Sequence, residues 1–287
     1  MPSKLLSPAE LLDTAVTLAH GAGAILLEGL TYIRAGNHAH VRYKSSPGDV
    51  VTEYDQRSEA FIVSELRRRY PDHAIVGEEG GAYDPQAAET QPPRYEWQID
   101  PLDGTTNFSH GFGLFCVSIG LLIDGIPVLG AVYNPAADEL YAAAHGLGAT
   151  CNGKPIHVSR VNSLQQALLI TGFPYDYAHN PRNNLRAFDA FNRRCQAVRR
   201  IGSAALDLCF VAAGQIDGYW EANVKAYDIA AGIAIVREAG GLVTDSAGED
   251  AMLSRGEIVA SNGLLQPAML DVLREVHLSE AAHVVMR

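Results

Sequence analysis

Eight residues, Asp100-Pro101-Leu102-Asp103-Gly104-Thr105-Thr106-Asn107, leave the backbone fewer choices than any other stretch of this chain. Pro101 has no N–H for a sheet ladder and disfavours helix in the residue before it, so the strand over 95–99 is expected to end at Asp100. Asp103-Gly104 then supplies a tight turn, and Thr105 to Asn107 offers caps for a following helix. Two carboxylates three residues apart on such a turn can point into one cavity. The Leu102 carbonyl lies between them, and a helix N-terminus alongside favours phosphate. Hard oxygen donors of this kind suit Mg²⁺ or Mn²⁺ rather than zinc, and Mg²⁺ takes only a few carboxylates together with water and substrate phosphate. Read alone, the same residues also describe a surface turn with Asp100 as a helix cap.

Three further acidic points narrow the choice. Glu78-Glu79 follows an apolar strand (AIVG) and closes on Gly80-Gly81, placing two carboxylates at a strand end. Asp228 opens a helix whose apolar face (Ile229, Ala230, Ile233, Ile235, Val236) stops at Gly240-Gly241. Asp55 lies near the start of a helix over 53–70, where an acid complements the helix dipole. Each has an ordinary reading as well: a solvated loop for the Glu pair, a helix cap for either Asp.

The rest of the chain sets the frame. At 287 residues it suits one large domain or two closely packed ones. A net charge of −11 argues against broad attraction to nucleic acid or anionic lipid, which needs clustered Lys and Arg. Arg67-Arg68-Arg69 ends a helix and most simply complements its dipole. The four cysteines show no CxxC pair and no zinc spacing; Cys116 and Cys209 read as core residues, and Cys151 as an accessible thiol. His38 and His40 lack an acidic or Cys partner nearby and read as a solvated loop, and Ser45-Ser46 and Ser118 fit no hydrolase triad. Glu10 and Asp13 interrupt what would be the apolar core of a signal peptide, and the uncharged run 104–123 is too broken to span a bilayer. A reduced, cytoplasmic protein without membrane contact is expected.

Hydrophobic periodicity predicts a first helix from Pro8 to the mid-thirties, with Ser7 and Glu10 as a capping box. The lone Gly21-Ala22-Gly23 falls inside it and is no nucleotide loop. Asp124-Gly125 marks a hairpin between two long apolar strands, Asn152-Gly153 another turn, and 141–144 and 156–159 read as further strands. Beyond these, strands over 168–171, 198–201, 216–220 and 242–244 alternate with helices over 181–195, 203–213 and 228–239. The pattern predicts a first sub-domain, 1–160, built on an antiparallel sheet and a second, 161–287, layered as α/β.

KSSPGDVVTEYD, GEE, WQIDPLDGTTNF and AYDIAAG, in this order, resemble the inositol monophosphatase family of Mg²⁺-dependent, lithium-sensitive phosphatases, from Lys44 to about Asp245. The resemblance implies the layered αβαβα sandwich, an α+β fold, that this family shares with fructose-1,6-bisphosphatases. It also implies a ligand set: Glu78, Asp100 and the Leu102 carbonyl for one metal, Asp100, Asp103 and Asp228 for a second, and a weaker third ion near Glu78. Glu79 would orient this group, Gly104 and Thr105 would give backbone N–H groups to phosphate, and Thr105 paired with Asp55 would help Glu78 position the attacking water. Lys44 and Asp49 correspond to the loop that closes the site in the family. Six carboxylates (Asp55, Glu78, Glu79, Asp100, Asp103, Asp228) would thus belong to one cavity, more than half of the chain's net acidic excess.

On the alcohol side, Gly202, Ser203 and Ala204 match a strand-to-helix turn near the polyol, and Glu221 stands seven residues before Asp228, the family's spacing for a carboxylate that bonds substrate hydroxyls. Thr171-Gly172-Phe173-Pro174 resembles the pocket wall of bacterial members. Ala226 and Tyr227 depart from the usual residues before the metal Asp, with Trp the more common neighbour, and Gly80 stands where Ser is common. These differences bear on substrate identity. The expected activity is hydrolysis of inositol monophosphate or a similar small polyol or sugar phosphate by metal-activated water with two to three Mg²⁺ per subunit, in a homodimer. The same scaffold serves fructose-1,6-bisphosphatases, 3′-phosphoadenosine-5′-phosphate phosphatases and histidinol-phosphate phosphatases. A binding role at the transcription machinery, known among bacterial relatives, is the alternative from another class.

Overall fold

The computed structural model describes residues 7–37, 41–44, 50–83, 85, 93–180 and 182–285. In chain order its elements are α1 (Pro8–Arg34), β1 (Arg42–Tyr43), β2 (Val50–Val51), α2 (Glu53–Arg69), β3 (Ala74–Gly77), β4 (Gly81–Tyr83), β5 (Tyr95–Asp103), α3 (Thr105–Ser109), β6 (Cys116–Ile123), β7 (Ile126–Asn134), β8 (Glu139–Ala144), β9 (Gly148–Cys151) and β10 (Lys154–Pro155). After a short 3₁₀ turn follow β11 (Leu168–Thr171), α4 (Leu185–Asn192), β12 (Ala197–Arg199), α5 (Ala204–Ala212), β13 (Gly218–Ala222), α6 (Ala226–Glu238), β14 (Leu242–Thr244), α7 (Met252–Arg255), β15 (Glu257–Ser261) and α8 (Gln266–Val285).

Two sheets organise the chain. The first runs β10-β9-β8-β7-β6-β5-β3-β4, antiparallel throughout except for the parallel β3–β5 pair. The second runs β12-β11-β13-β15-β14, with β11 parallel to both β12 and β13 and the remaining pairs antiparallel. Alternation along the strands sorts side chains into three cores. Val117, Ile119 and Leu121 of β6 pack with Leu18, Leu26 and Ile62 of α1 and α2. Cys116, Val132 and Tyr219 face the other way, towards Leu208 of α5 and Ile233 of α6. Trp220 and Val259 point to the far side of the second sheet, against Phe191 of α4 and Met269 of α8. The order is therefore helix, sheet, helix, sheet, helix: an αβαβα sandwich of the α+β class.

Contact between the first sheet and α6 depends on two glycines. A Cβ at Gly120 would stand 2.8 Å from the Ala231 nitrogen, and one at Gly130 would overlap the Ala231 carbonyl. Helix α6, which begins with Asp228 near its N-terminus, is thus set directly on the sheet that carries Asp100 and Asp103. Helix α1 is long and apolar enough to cross a membrane by length and composition. Its apolar stripe (Leu11, Ala15, Leu18, Ala22, Leu26) is buried against α2 and the first sheet.

Several expectations need correction. The strand β5 does not stop at Asp100 but continues through Pro101 to Asp103. Asp100 pairs with Ser118 and Asp103 with Cys116, so β5 carries one more residue than β6 across this step and bulges. Pro101's missing N–H falls inside that bulge, where no ladder bond is required. Residues 156–159 form no strand; the pairing partners are β9 and β10, on either side of the Asn152-Gly153 turn, whose φ values are 49° and 73°. Helix α4 begins only at Leu185, and α6 begins two residues before Asp228. The Asp124-Gly125 hairpin forms as expected, with φ of 52° and 81°.

Candidate active site

The β5 bulge, the turn after β3 and the N-termini of α2, α5 and α6 meet at one end of the sandwich. Asp100 is 3% exposed, and its Oδ1 accepts the Leu102 amide at 3.0 Å. Asp103 Oδ2 accepts the Ser203 hydroxyl and the Ala205 amide, both at 2.7 Å, and Cys116 Sγ lies 3.9 Å away. Asp228 is the third residue of α6, not its cap, and its Oδ2 accepts the Lys225 amide at 2.6 Å in a capping box. Glu78 follows β3, its amide bonded to the Ile99 carbonyl and its Oε1 held 3.0 Å from Lys44 Nζ. Lys44 also bonds Glu79.

Gly104 adopts φ 93°, a left-handed turn open to glycine, and a Cβ there would press on the Leu114 carbonyl at 3.0 Å. Thr105 Oγ1 then stands 3.0 Å from Asp55 Oδ1 and 3.0 Å from the Leu102 carbonyl. Asp55 is fully buried and closes a capping box at α2, its Oδ2 accepting from the Thr52 amide and hydroxyl. Ser203 caps α5, and Gly202 before it has φ 83°. Asn107 ties this turn to the first half of the chain, Nδ2 donating to the Leu114 and Ile201 carbonyls at 2.7 Å each. Glu221, on β13, accepts from the Tyr219 hydroxyl at 2.7 Å. Every site residue predicted from the sequence except Asp49 lies in this region; Asp49, together with His38, His40, Ser45 and Ser46, lies outside the described residues.

Burial dominates the electrostatics. It pushes Asp100 well above the usual carboxylate range, with the charges of Glu78, Asp103 and Asp228 adding to the rise. Burial likewise raises Asp228, where Asp103 and Glu78 add and the Lys225 amide opposes. Asp103 is raised by burial to about 6, restrained by its bonds to Ser203 and Ala205. Asp55 rises to about 7 for the same first reason, against the bonds from Thr52, and Glu221 to about 7, against the bond from Tyr219. Burial disfavours the Lys44 ammonium, but the charges and bonds of Glu78 and Glu79 outweigh it and hold the proton more tightly. Asp100, Asp103, Glu78 and Asp228 therefore feel one another's charge, which Lys44 offsets only at the Glu78 end.

That imbalance bears on cation binding. The donors are hard oxygens, three of them from carboxyls whose charged forms burial and mutual repulsion disfavour, and a divalent cation between them would reverse both effects. The set therefore fits Mg²⁺ or Mn²⁺ in its chemistry. Among the described residues no three His, Cys, Asp or Glu side chains form a ready-made cage. One oxygen each of Asp100, Asp103 and Asp228 is turned to an amide or hydroxyl, and Lys44 takes one from Glu78.

Some of the site was not foreseen. Glu59, one turn beyond Asp55 on α2 and 2% exposed, accepts the amides of Glu79 at 2.8 Å and Gly80 at 2.6 Å and the Tyr83 hydroxyl at 3.1 Å. It shapes the turn that presents Glu78, and it explains Gly80: a Cβ there would overlap the Tyr83 hydroxyl. Tyr227 lies beside the carboxylates, and burial together with the nearby negative charges raises its phenol; the same charges act on Tyr175, which is 55% exposed. Asp207, one turn into α5 and 1% exposed, has an Oδ1 without a hydrogen-bond partner among the described residues. Burial raises it well above the usual range, with Glu221 and Asp103 adding.

The chain as a whole finds its counterparts among known phosphatases. The inositol monophosphatase family matches residues 7–278. An inositol-1-monophosphatase of Synechocystis sp. is 46% identical over 272 residues, covering 95% of this chain and 90% of the relative. A protein of Vibrio cholerae called Nus factor SuhB is 41% identical, over 84% of this chain and 92% of its own. Among solved structures, an inositol monophosphatase from Anabaena superposes with a TM-score of 0.82 at 42% identity, covering 93% of this chain and 96% of that one. The fold and these likenesses define an α+β sandwich phosphatase. The chain belongs to the inositol monophosphatase family.

Proposed function

We propose that this phosphatase is Mg²⁺-dependent and hydrolyses myo-inositol 1-phosphate or a similar small polyol or sugar phosphate. The observation that carries the reading is the gathering of Asp100, Asp103, Asp228 and Glu78 within reach of one another's charge, which a dianionic ester could approach only with cations present. Glu78, Asp100, the Leu102 carbonyl, Asp103 and Asp228 would hold two to three Mg²⁺, with Mn²⁺ as a substitute. When bound, the ions supply charge neutralisation of the phosphate and acidification of water.

The chain's own groups do the rest. The backbone amides of Gly104 and Thr105 meet the phosphate oxygens. Thr105 Oγ1, anchored between Asp55 and the Leu102 carbonyl, orders the attacking water with Glu78 and passes a proton towards Asp55, whose raised pKa suits acceptance near neutrality. Glu79 and Glu59 keep the Glu78 turn in place, and Lys44 bonds both Glu78 and Glu79. Gly202, Ser203, Ala204 and Glu221 meet the alcohol, Glu221 accepting its hydroxyls. A cytoplasmic homodimer completes this reading, and sedimentation velocity checks the dimer.

The test is phosphate release from myo-inositol 1-phosphate, fructose 1,6-bisphosphate, 3′-phosphoadenosine-5′-phosphate and histidinol phosphate, each with Mg²⁺. The first is expected to be preferred; a clear preference for the nucleotide or histidinol phosphate overturns the substrate assignment. Relatives called Nus factor SuhB, at 40–42% identity, favour a second reading, a transcription-associated binding role beside catalysis. Under it, an Asp100→Asn variant without turnover still complements a deletion strain.

A further inference from the structure

Asn184 stands immediately before α4, on the side of the second sheet away from the carboxylates, with φ 67° and ψ −2°. Its amide is fully engaged. Nδ2 donates to Thr171 Oγ1 and to the Gly172 carbonyl, each at 2.7 Å. Oδ1 accepts the Trp220 indole N–H at 2.7 Å. A carbonyl can only accept and an indole can only donate, so these partners fix which end of the amide is which. Thr171 Oγ1 passes its own proton to the Trp220 carbonyl. Thr171 is fully buried and Trp220 2% exposed, so the network is shielded from competing water.

These bonds converge on the wall that holds Glu221. Trp220 precedes it on β13, and Thr171 pairs with Trp220 across the parallel β11–β13 ladder. Gly172 has no side chain because the Glu221 carboxylate occupies that space: a Cβ there would overlap the carboxyl atoms. Glu221 is thus seated against backbone whose carbonyl Asn184 holds, and tethered to Tyr219 on its other side. We propose that Asn184 is a positioning residue for substrate selection, fixing the Thr171-Gly172 and Trp220-Glu221 segments so that Glu221 meets the hydroxyls of a polyol phosphate. The inference rests on the assignment of Glu221 to the alcohol half of the substrate. Asn184 makes no hydrogen bond to the carboxylate cluster and acts through Thr171, Gly172 and Trp220.

Steady-state kinetics with Mg²⁺ test it, comparing myo-inositol 1-phosphate with p-nitrophenyl phosphate, whose alcohol half has no hydroxyl for Glu221. Asn184→Gly keeps the left-handed backbone without strain but loses all three side-chain bonds. Asn184→Asp keeps the acceptor for Trp220 and loses the donors. Both variants are expected to raise KM for myo-inositol 1-phosphate about tenfold with kcat within twofold. Both are expected to leave kcat/KM for p-nitrophenyl phosphate within twofold. An equal loss on both substrates, in step with a lowered Tm, shows a structural role only and overturns the proposal, as does an unchanged KM. A wild-type protein that turns over p-nitrophenyl phosphate but no polyol phosphate overturns the substrate reading, and with it this one. Wild-type activity on myo-inositol 1-phosphate with indifferent Asn184 variants overturns this proposal alone.

Discussion

The Ser203 hydroxyl donates to Asp103 Oδ2 at 2.7 Å, joining residues one hundred positions apart in the chain. Ser203 also caps α5 through the Leu206 amide, so one side chain orients a carboxylate of the first sheet and starts a helix of the second half. Replacing it with Ala removes both bonds. The cap loss should cost about 1 kcal/mol of stability. Loss of the bond to Asp103 should raise the Mg²⁺ concentration for half-maximal activity about tenfold, the usual scale for partners that orient metal ligands. Thermal melts and a Mg²⁺ titration of activity separate the two effects.

Asp100→Asn separates charge from shape. The buried carboxyl is raised by burial and by three neighbouring acids, so the isosteric amide relieves repulsion in the metal-free protein. Its melting temperature without metal should equal or exceed that of the wild type. Turnover with Mg²⁺ should fall about a thousandfold, equivalent to about 4 kcal/mol of barrier. A variant with near-normal Mg²⁺-supported activity would show that Asp100 is no ligand.

Glu59→Gln tests the turn that carries Glu78. The carboxylate accepts two amides and a phenol, and an amide in its place points an N–H at one of those donors. Stability should fall by about 2 kcal/mol, the range for leaving a buried polar group unmatched. The turnover number should drop about tenfold as Glu78 loses its placement. An unaltered melting curve together with unaltered kcat contradicts the role given to Glu59.

The raised carboxyls make stability depend on pH. Burial holds Asp103 near 6 and Asp55 and Glu221 near 7 in the fold, whereas the unfolded chain releases these protons near pH 4. Between those limits the native state binds more protons than the unfolded state, so this contribution is present below about pH 4 and is lost as pH rises towards 7. Metal-free protein should therefore melt at a lower temperature at pH 8 than at pH 5. Millimolar Mg²⁺ should remove most of that difference, because a bound cation favours the ionised forms. Scanning calorimetry at the two pH values, with chelator and with Mg²⁺, measures it.

Local signals in the sequence were read where the physics is local. The Ser7–Glu10 capping box and the Asp124-Gly125 hairpin each depend on residues within a few positions of one another. The end of β5 is not local: a proline that cannot sit in a regular ladder is accommodated by a bulge, which exists only once β6 is alongside. Strand β15, interior in the second sheet, is a short apolar run whose identity depends on β13 and β14 flanking it. Within the site, the carboxylates were legible from spacing and resemblance. Glu59 and Asn184 were not, since a single Glu on a helix and a single Asn before one look ordinary until their partners, 12 to 36 residues away in sequence, are brought to them.

The central claim is that the buried carboxylates form a cation-dependent phosphomonoesterase centre. The most direct measurement is inorganic phosphate release from myo-inositol 1-phosphate by chelator-stripped protein, before and after adding Mg²⁺. The account predicts no detectable release before addition and full activity after it, with Asp100→Asn silent in both. Equal release with and without Mg²⁺ would contradict it.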